Sequence, residues 1–467
     1  MARVSSYTII VDIPNGSYAL AHGYTGALDI VSGEVGTKLL TGGEAVTEIE
    51  ENDYCLLKSR GYITDLSVED EQRYLHRLAL AELKKNDALS RVHFTLVITY
   101  DCNFCCPYCY ERDLFNHDTE SRHKVISREL VDDAFEAIGE IRRNARQTMN
   151  QIMLFGGEPL LKQNRDTVAY IIEKGKKLGY GFTATSNGYD LDYYADLLGD
   201  DGIRSIQITL DGSRDDSNAR RKHVSGYDTF DKIISNIKLA LSKNVLIRLR
   251  INVDYYNKDS IETLYEMLVS EGISGNKYFS AYVEFISGEV NFNPSGYDKP
   301  LNKYSRKDFI NQFNSLPSVV IDNRIAANIE NAINNRRKLY LNPKHCSAQA
   351  GSYIFDPFGN IYSCYDEIGK TDSRIGTYNK GLKWYNPAKE TWFSRNITGS
   401  QACSKCKYAL LCGGGCYSKQ LISKRKTGFC DDFGLRFKSS LRTIINNFIT
   451  YKNNDSNEQG QQNSVSE

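Results

Sequence analysis

The chain has 467 residues, with 58 Lys plus Arg against 58 Asp plus Glu and a formal net charge of zero. That length allows two or three domains of roughly 100 to 200 residues, and a balanced charge offers no field to draw nucleic acid or an anionic surface, so neither nucleic acid nor a membrane is expected as a partner. No run of about 18 apolar residues appears, the length of a spanning helix, and Met1 to Leu20 lacks the basic-then-apolar order of a secretory signal, so a cytoplasmic protein is expected.

From Tyr7 to about Asp65 the sequence reads as three short strands (YTIIVDI, SYALAHG, TGALDIV), then helical stretches stopping near Arg60-Gly61. An amphipathic segment from Glu69 to Asn86 follows as a helix, so residues 1–88 are expected to form a small α+β unit. An exposed strand edge in such a unit can accept an extended peptide as an additional strand, with backbone hydrogen bonds supplying affinity. The alternative is a packing unit that only stabilises its neighbour.

Six apolar, β-branched runs come next: HFTLVIT, QIMLFGG, FTATSNG, SIQITLDG, IRLRINVD and AYVEFI. Helical stretches such as Arg128 to Arg146, Arg165 to Leu178, Tyr227 to Lys243 and Asp259 to Glu271 separate them. Strand alternating with helix predicts an α/β domain with a parallel sheet over 89–290, either a doubly wound sheet or a partial barrel. Chemistry in such folds collects where strands end. Cys102 to Cys109, Gly156-Gly157-Glu158-Pro159, Ser186-Asn187-Gly188 and Asp211-Gly212 follow successive strands, so all four are expected on one rim.

The twelve cysteines are clustered, with none in the 236 positions from Tyr110 to His345. In a reducing compartment such groups serve as metal ligands more often than as disulfides. Cys102, Cys106 and Cys109 read as C-x3-C-x2-C, three thiolates that can hold three irons of a 4Fe-4S cubane and leave the fourth iron open. Pairing Cys102 with Cys105 and Cys106 with Cys109 would instead give a four-ligand zinc site.

This motif after a first strand, with Tyr108 before its last cysteine and GGEP after the second strand, resembles the radical S-adenosylmethionine superfamily. The resemblance implies a cluster whose open iron is chelated by the methionine moiety and a 5′-deoxyadenosyl radical formed by its cleavage. By position, Tyr108 would lie near the adenine and Gly156, Gly157, Glu158 and Pro159 would meet the methionine amino group through carbonyl and carboxylate oxygens. Ser186, Thr209, Arg221 and Asn252 would hold the ribose or carboxylate, and Cys105 matches no family ligand.

Residues 291–340, rich in Asn, Lys and Tyr, read as a bridge. Beyond it come Cys346, Gly359-x4-Cys364, Cys403-x2-Cys406-x5-Cys412-x3-Cys416 and Cys430 over 341–450, a spacing that resembles the SPASM extension of peptide-modifying radical enzymes. That resemblance implies two auxiliary 4Fe-4S clusters, three in all, with Cys403, Cys406, Cys412 and Cys430 on one and Cys346, Cys364 and Cys416 on the other. The second set is one thiolate short, leaving an iron open to a substrate thiolate or completed by His345 or a carboxylate such as Asp356. The polar tail, 451–467, is expected to be disordered.

Residues 1–88 also resemble the winged-helix, precursor-recognition domains of enzymes that mature ribosomally made peptides. The whole is therefore expected to be a partial (β/α)6 barrel flanked by a winged-helix-like α+β domain and an iron-sulfur SPASM domain. Its expected activity is thioether crosslinking of a cysteine-containing precursor peptide with a leader, supplied by an external low-potential electron donor. Formylglycine formation in a sulfatase, carbon-carbon crosslinking and epimerisation are the enzymatic alternatives. A non-catalytic iron-sulfur electron carrier is the alternative from another class, against which the GGEP rim argues.

Overall fold

The computed structural model describes residues 2–89, 91–111, 114, 119–145, 147–286, 306–313, 323–423, 430 and 432–463. At the N-terminus β1 (Arg3–Val4) precedes a meander of β2 (Thr8–Asp12), β3 (Tyr18–His22) and β4 (Leu28–Val31). Helix α1 (Gly33–Thr41) starts at Ser32, whose hydroxyl accepts from the Val35 N–H at 3.3 Å, and α2 (Glu51–Arg60) ends at the left-handed Gly61. Strand β5 (Ile63–Thr64) returns to pair with β1, and α3 (Val68–Leu89) leaves the unit. Successive strand residues point to opposite faces, so Leu20 packs towards α1 and α2 with Val35, Leu39 and Leu57, while Ile9, Val11, Ala19 and Ala21 form a second apolar face.

The central domain follows as β6 (Arg91–Val97), α4 (Thr119–His123), α5 (Arg128–Asn144), β7 (Gln147–Phe155), α6 (Arg165–Lys177), β8 (Gly181–Ser186), β9 (Ile203–Leu210), α7 (Arg214–Arg220), α8 (Phe230–Ser242), β10 (Leu246–Val253), α9 (Ile261–Ser270) and β11 (Phe279–Phe285). These six strands are parallel and lie in chain order without reversal. A doubly wound sheet needs a point where the order reverses, so the partial barrel is the architecture found. Phe94, Leu96, Ile152, Leu154, Ile206 and Ile208 bury one face against the helices. Alternate residues, among them Thr95, Met153, Thr209 and Arg250, face the other way.

Of the expected bridge, α10 (Arg306–Phe313) and α11 (Asn323–Asn334) are described, while 291–305 and 314–322 lie outside the described residues. The later cysteine region contains β12 (Ser352–Phe355), β13 (Asn360–Tyr362), β14 (Gly376–Thr377), β15 (Lys383–Trp384), α12 (Asn386–Phe393), α13 (Ala409–Cys412), α14 (Tyr417–Ile422) and α15 (Phe433–Asn463). Strand β12 runs parallel to β6, Ser352 beside His93 and Phe355 beside Leu96, so the two cysteine regions share one ten-stranded sheet.

Helix α15 carries Phe433, Phe437, Leu441 and Ile445 onto the second face of the meander. It continues to Asn463, through most of the tail expected to be disordered. Among the described residues no helix is long and apolar enough to cross a membrane.

Candidate functional site

The first cysteine loop is positioned by backbone. The Gly157 N–H donates to the Thr99 carbonyl at 3.0 Å and the Glu158 N–H to the Asp101 carbonyl at 2.7 Å, fastening the end of β7 to the loop leaving β6. A Cβ on Gly156 would lie 2.1 Å from the Thr99 oxygen, and one on Gly157 would lie 2.4 Å from the Asp101 oxygen. Gly156 also has a φ of 137°, so both glycines are required by close approach and one by its dihedral as well.

Glu158 is buried, and its carboxylate accepts from the Ser186 hydroxyl at 2.8 Å, the Leu160 N–H at 2.9 Å and the Asn187 N–H at 2.6 Å. Burial pushes its pKa up to about 7 against those donors. These three donors satisfy the buried carboxylate from within the protein. The carbonyls of Glu158 and Pro159 accept from Asn164 at 3.4 and 3.3 Å. Ser186, also engaged by the Gly188 N–H at 3.0 Å, is a strut between β7 and β8.

Cys102, Cys106 and Cys109 are gathered at this rim. Burial raises all three thiols, Cys109 to about 12, and the negative charges of Cys106 and Cys109 raise Cys102 further. The Phe104 N–H lies 3.4 Å from the Cys102 sulfur and the Glu111 N–H is directed at Cys109. Thiols with backbone donors at hand fit thiolate ligands of an iron-sulfur cluster, where bound metal ions remove the protons. Cys105 is exposed and turned to the Lys222 carbonyl.

Arg221 is buried, and its Nη1 donates to the Tyr108 hydroxyl at 2.7 Å. Arg220 spans the ends of β9 and β10, its Nε 3.2 Å from Asp211 and its Nη1 2.7 Å from Asp254, with its guanidinium 5.3 Å from the Tyr108 ring centre. Thr209 lies beside Arg250 across the β9–β10 register, and the Asn252 side-chain oxygen accepts from Arg250 at 2.8 Å. Among the described residues, Arg221 Nε and one Asp211 oxygen are buried without a partner. Orphaned polar atoms next to the cysteine loop fit a polar ligand. Sequence reasoning places Asp211 and Asn187 on the rim without a role and misses Arg220 and Asp254; the Asn187 amide points at the Cys102 sulfur, 3.9 Å away.

In the second region the charges of Asp366, Cys346 and Cys416 act on Cys364, and those of Cys403 and Cys430 on Cys406. Burial again raises Cys346, Cys364, Cys406 and Cys416, opposed by backbone N–H groups of Ala348, Asp366, Tyr408 and Lys419 respectively. Between Cys412 and Cys416, Gly413, Gly414 and Gly415 take φ of 76°, 93° and 80°, a left-handed turn. Tyr365 reaches the barrel, its hydroxyl 2.9 Å from Thr95 Oγ1 and its ring 4.8 Å from that of Phe155. Among the described residues no three His, Cys, Asp or Glu side chains are grouped to hold a single metal ion.

Residues 96–268 match the Radical SAM superfamily. The radical SAM cyclopropyl synthase TigE of Paramaledivibacter caminithermalis is 21% identical over 455 residues, covering 88% of this chain and 89% of that protein. The GTP 3′,8-cyclase of Nautilia profundicola is 26% identical over 194 residues, covering 41% of this chain and 55% of that enzyme, so the chain spans about half of that relative. Native anSMEcpe with bound AdoMet and Cp18Cys peptide has a TM-score of 0.56 at 17% identity, covering 78% of this chain and 99% of that one, a likeness of fold. This chain thus carries a radical SAM domain over residues 96–268, and that family works with a 4Fe-4S cluster and S-adenosylmethionine.

Proposed function

We propose that the protein is a peptide maturase that modifies a ribosomally made, cysteine-containing precursor peptide, forming thioether bonds between a cysteine sulfur and a carbon. Cys102, Cys106 and Cys109 would hold the catalytic cluster. When bound, the cluster and S-adenosylmethionine supply a 5′-deoxyadenosyl radical that takes hydrogen from the substrate. Tyr108, Arg221 and the two glycines would orient the nucleotide, and Arg220 with Asp211 and Asp254 would keep that wall rigid. Cys403, Cys406, Cys412 and Cys430 would hold one auxiliary cluster, and Cys346, Cys364 and Cys416 another.

The observation that carries this reading is the rim itself, where three cysteine thiols, a backbone-locked glycine pair and orphaned polar atoms lie together. Peptide as substrate class is supported by the N-terminal meander and by a fold neighbour whose structure contains a peptide. The thioether is supported by a three-thiol set that leaves room for one more sulfur. Carbon-carbon bond formation is a second reading, favoured by the alignment along most of the cyclopropyl synthase.

Anaerobic reconstitution tests the reading. Three cubanes give about twelve irons per chain, and dithionite with S-adenosylmethionine yields 5′-deoxyadenosine. Cys102→Ala, Cys106→Ala and Cys109→Ala together abolish that product while auxiliary iron remains; undiminished cleavage overturns the catalytic assignment. Co-expression with a cysteine-rich peptide encoded beside the gene separates the products by mass spectrometry. Both lose two hydrogens per bond, but only thioether formation removes thiols from alkylation.

A further inference from the structure

The barrel strands turn one face to the helices and the other to the barrel interior. On β9, β10 and β11 the interior face carries Gln207 and Thr209, then Arg248, Arg250 and Asn252, then Tyr282 and Glu284. The register sets Arg250 between Thr209 and Tyr282, and Asn252 beside Glu284. The Tyr282 hydroxyl donates to Gln207 Oε1 at 2.9 Å, so these two side chains span β10 on that face.

Arg250 is half-buried, and its Nε donates to the Asn252 side-chain oxygen at 2.8 Å. Among the described residues its Nη1 and Nη2 have no hydrogen-bond partner, and neither is closed off from solvent. Glu284 is the sole carboxylate that the six strands turn to this face, and among the described residues it forms no ion pair with Arg250. Arg220, by contrast, is held between Asp211 and Asp254, and Arg248 is exposed to water. A cation drawn out of water with only a neutral partner is costly until an anion meets it. The bond at Nε fixes the plane of the guanidinium, and the two end nitrogens then match both oxygens of one carboxylate.

We infer that Arg250 receives the carboxylate of an Asp or Glu side chain of the precursor peptide, next to the residue that is modified, an inference that rests on the peptide-maturase reading above. Its backbone lies two residues before Asn252, about 7 Å further from the rim along β10. The groups assigned to the nucleotide, Tyr108, Arg221 and the glycine pair, belong to the rim itself, so Arg250 serves the space beneath them. The methionine carboxylate of S-adenosylmethionine is the rival source of the same chemistry, and the test separates the two.

The test uses the reconstituted full chain and the peptide encoded beside the gene, with product scored by mass spectrometry. Acidic residues of the peptide are changed singly, Asp to Asn and Glu to Gln. The change next to the modified residue should lower kcat/KM for the peptide roughly 10- to 100-fold. Arg250→Gln should lower it by a similar factor, and both changes together by no more than either alone, because one contact is lost only once. Arg250→Lys keeps the charge and should recover part of the rate; where Arg250→Gln fails to fold, it carries the same cycle. Losses that multiply, or a peptide that tolerates every acidic replacement, overturn the inference. So does a KM that rises for S-adenosylmethionine rather than for peptide, which gives the guanidinium to the nucleotide. Unaltered enzyme that forms 5′-deoxyadenosine yet modifies no peptide overturns the maturase reading, and the inference with it, before Arg250 is touched.

Discussion

At the scale of single residues, atoms without room decide more than atoms with charge. A methyl group at Gly157 would meet the backbone oxygens of Asp101 and Tyr100 at 2.4 and 2.5 Å, and backbone cannot rotate away as a side chain does. Gly157→Ala is therefore expected to cost about 1 to 3 kcal/mol and to displace the loop bearing Cys102. Thermal unfolding and iron content measure both, and an unchanged melting point with full iron would show that the contact yields. Tyr108→Phe removes the oxygen that receives the buried Arg221 Nη1, and leaving that donor unpaired costs about 1 to 3 kcal/mol. A higher KM for S-adenosylmethionine with little change in kcat is expected, since the pair lines a binding wall. Cysteines and paired glycines announced themselves in the sequence because few other roles demand that spacing. Arg220 and Asp254 did not, because each is an ordinary charged residue until neighbouring strands bring them together across 34 positions.

At the scale of elements, the sequence periodicity located the meander, α3 and all six barrel strands, each of which has its own apolar face to bury. It did not reveal that β12 would join β6. A four-residue strand has too few residues for a pattern, and its partner lies in another motif. Nor did it disclose the lock between α3 and the meander. Glu71 of α3 is fully buried and accepts from the Ser5 hydroxyl, the Ser6 N–H at 3.0 Å, the Tyr24 hydroxyl at 3.1 Å and Arg3 at 2.6 Å. His22 joins it through Ser5, 3.0 Å away, and burial depresses its pKa from 6.5 to about 4. The folded state thus binds fewer protons than the unfolded chain between those values, so stability is full above pH 6.5 and falls as pH drops towards 4. The loss is on the order of 3 kcal/mol. Hydrogen-exchange protection factors of 2–65, each corrected for the intrinsic rate at its pH, should fall across that window, and flat protection factors from pH 7 to 4 would refute the role given to His22.

At the scale of the molecule, the order of the units was legible and their docking was not. The N-terminal unit leans on the second cysteine region: the Tyr7 hydroxyl donates to the Ser404 carbonyl at 3.2 Å, and Tyr7, Tyr24 and Leu75 share a core with Ile397, Ala409 and Leu410, beside Cys403 and Cys406. Deleting residues 1–88 should therefore lower iron content by about four, beyond any loss of peptide binding. Iron retained in full by the shortened chain would mean that the two parts are independent. The chain also closes on itself, Arg442 of α15 donating to the Asp12 carbonyl across 430 residues. The strands β2 and β3 are thus made long before the helix that completes their cover, since Ile9, Val11 and Ala19 wait for Phe437 and Leu441. A chain cut short of α15 leaves part of that greasy sheet unsheltered and is expected to aggregate more readily than the full one.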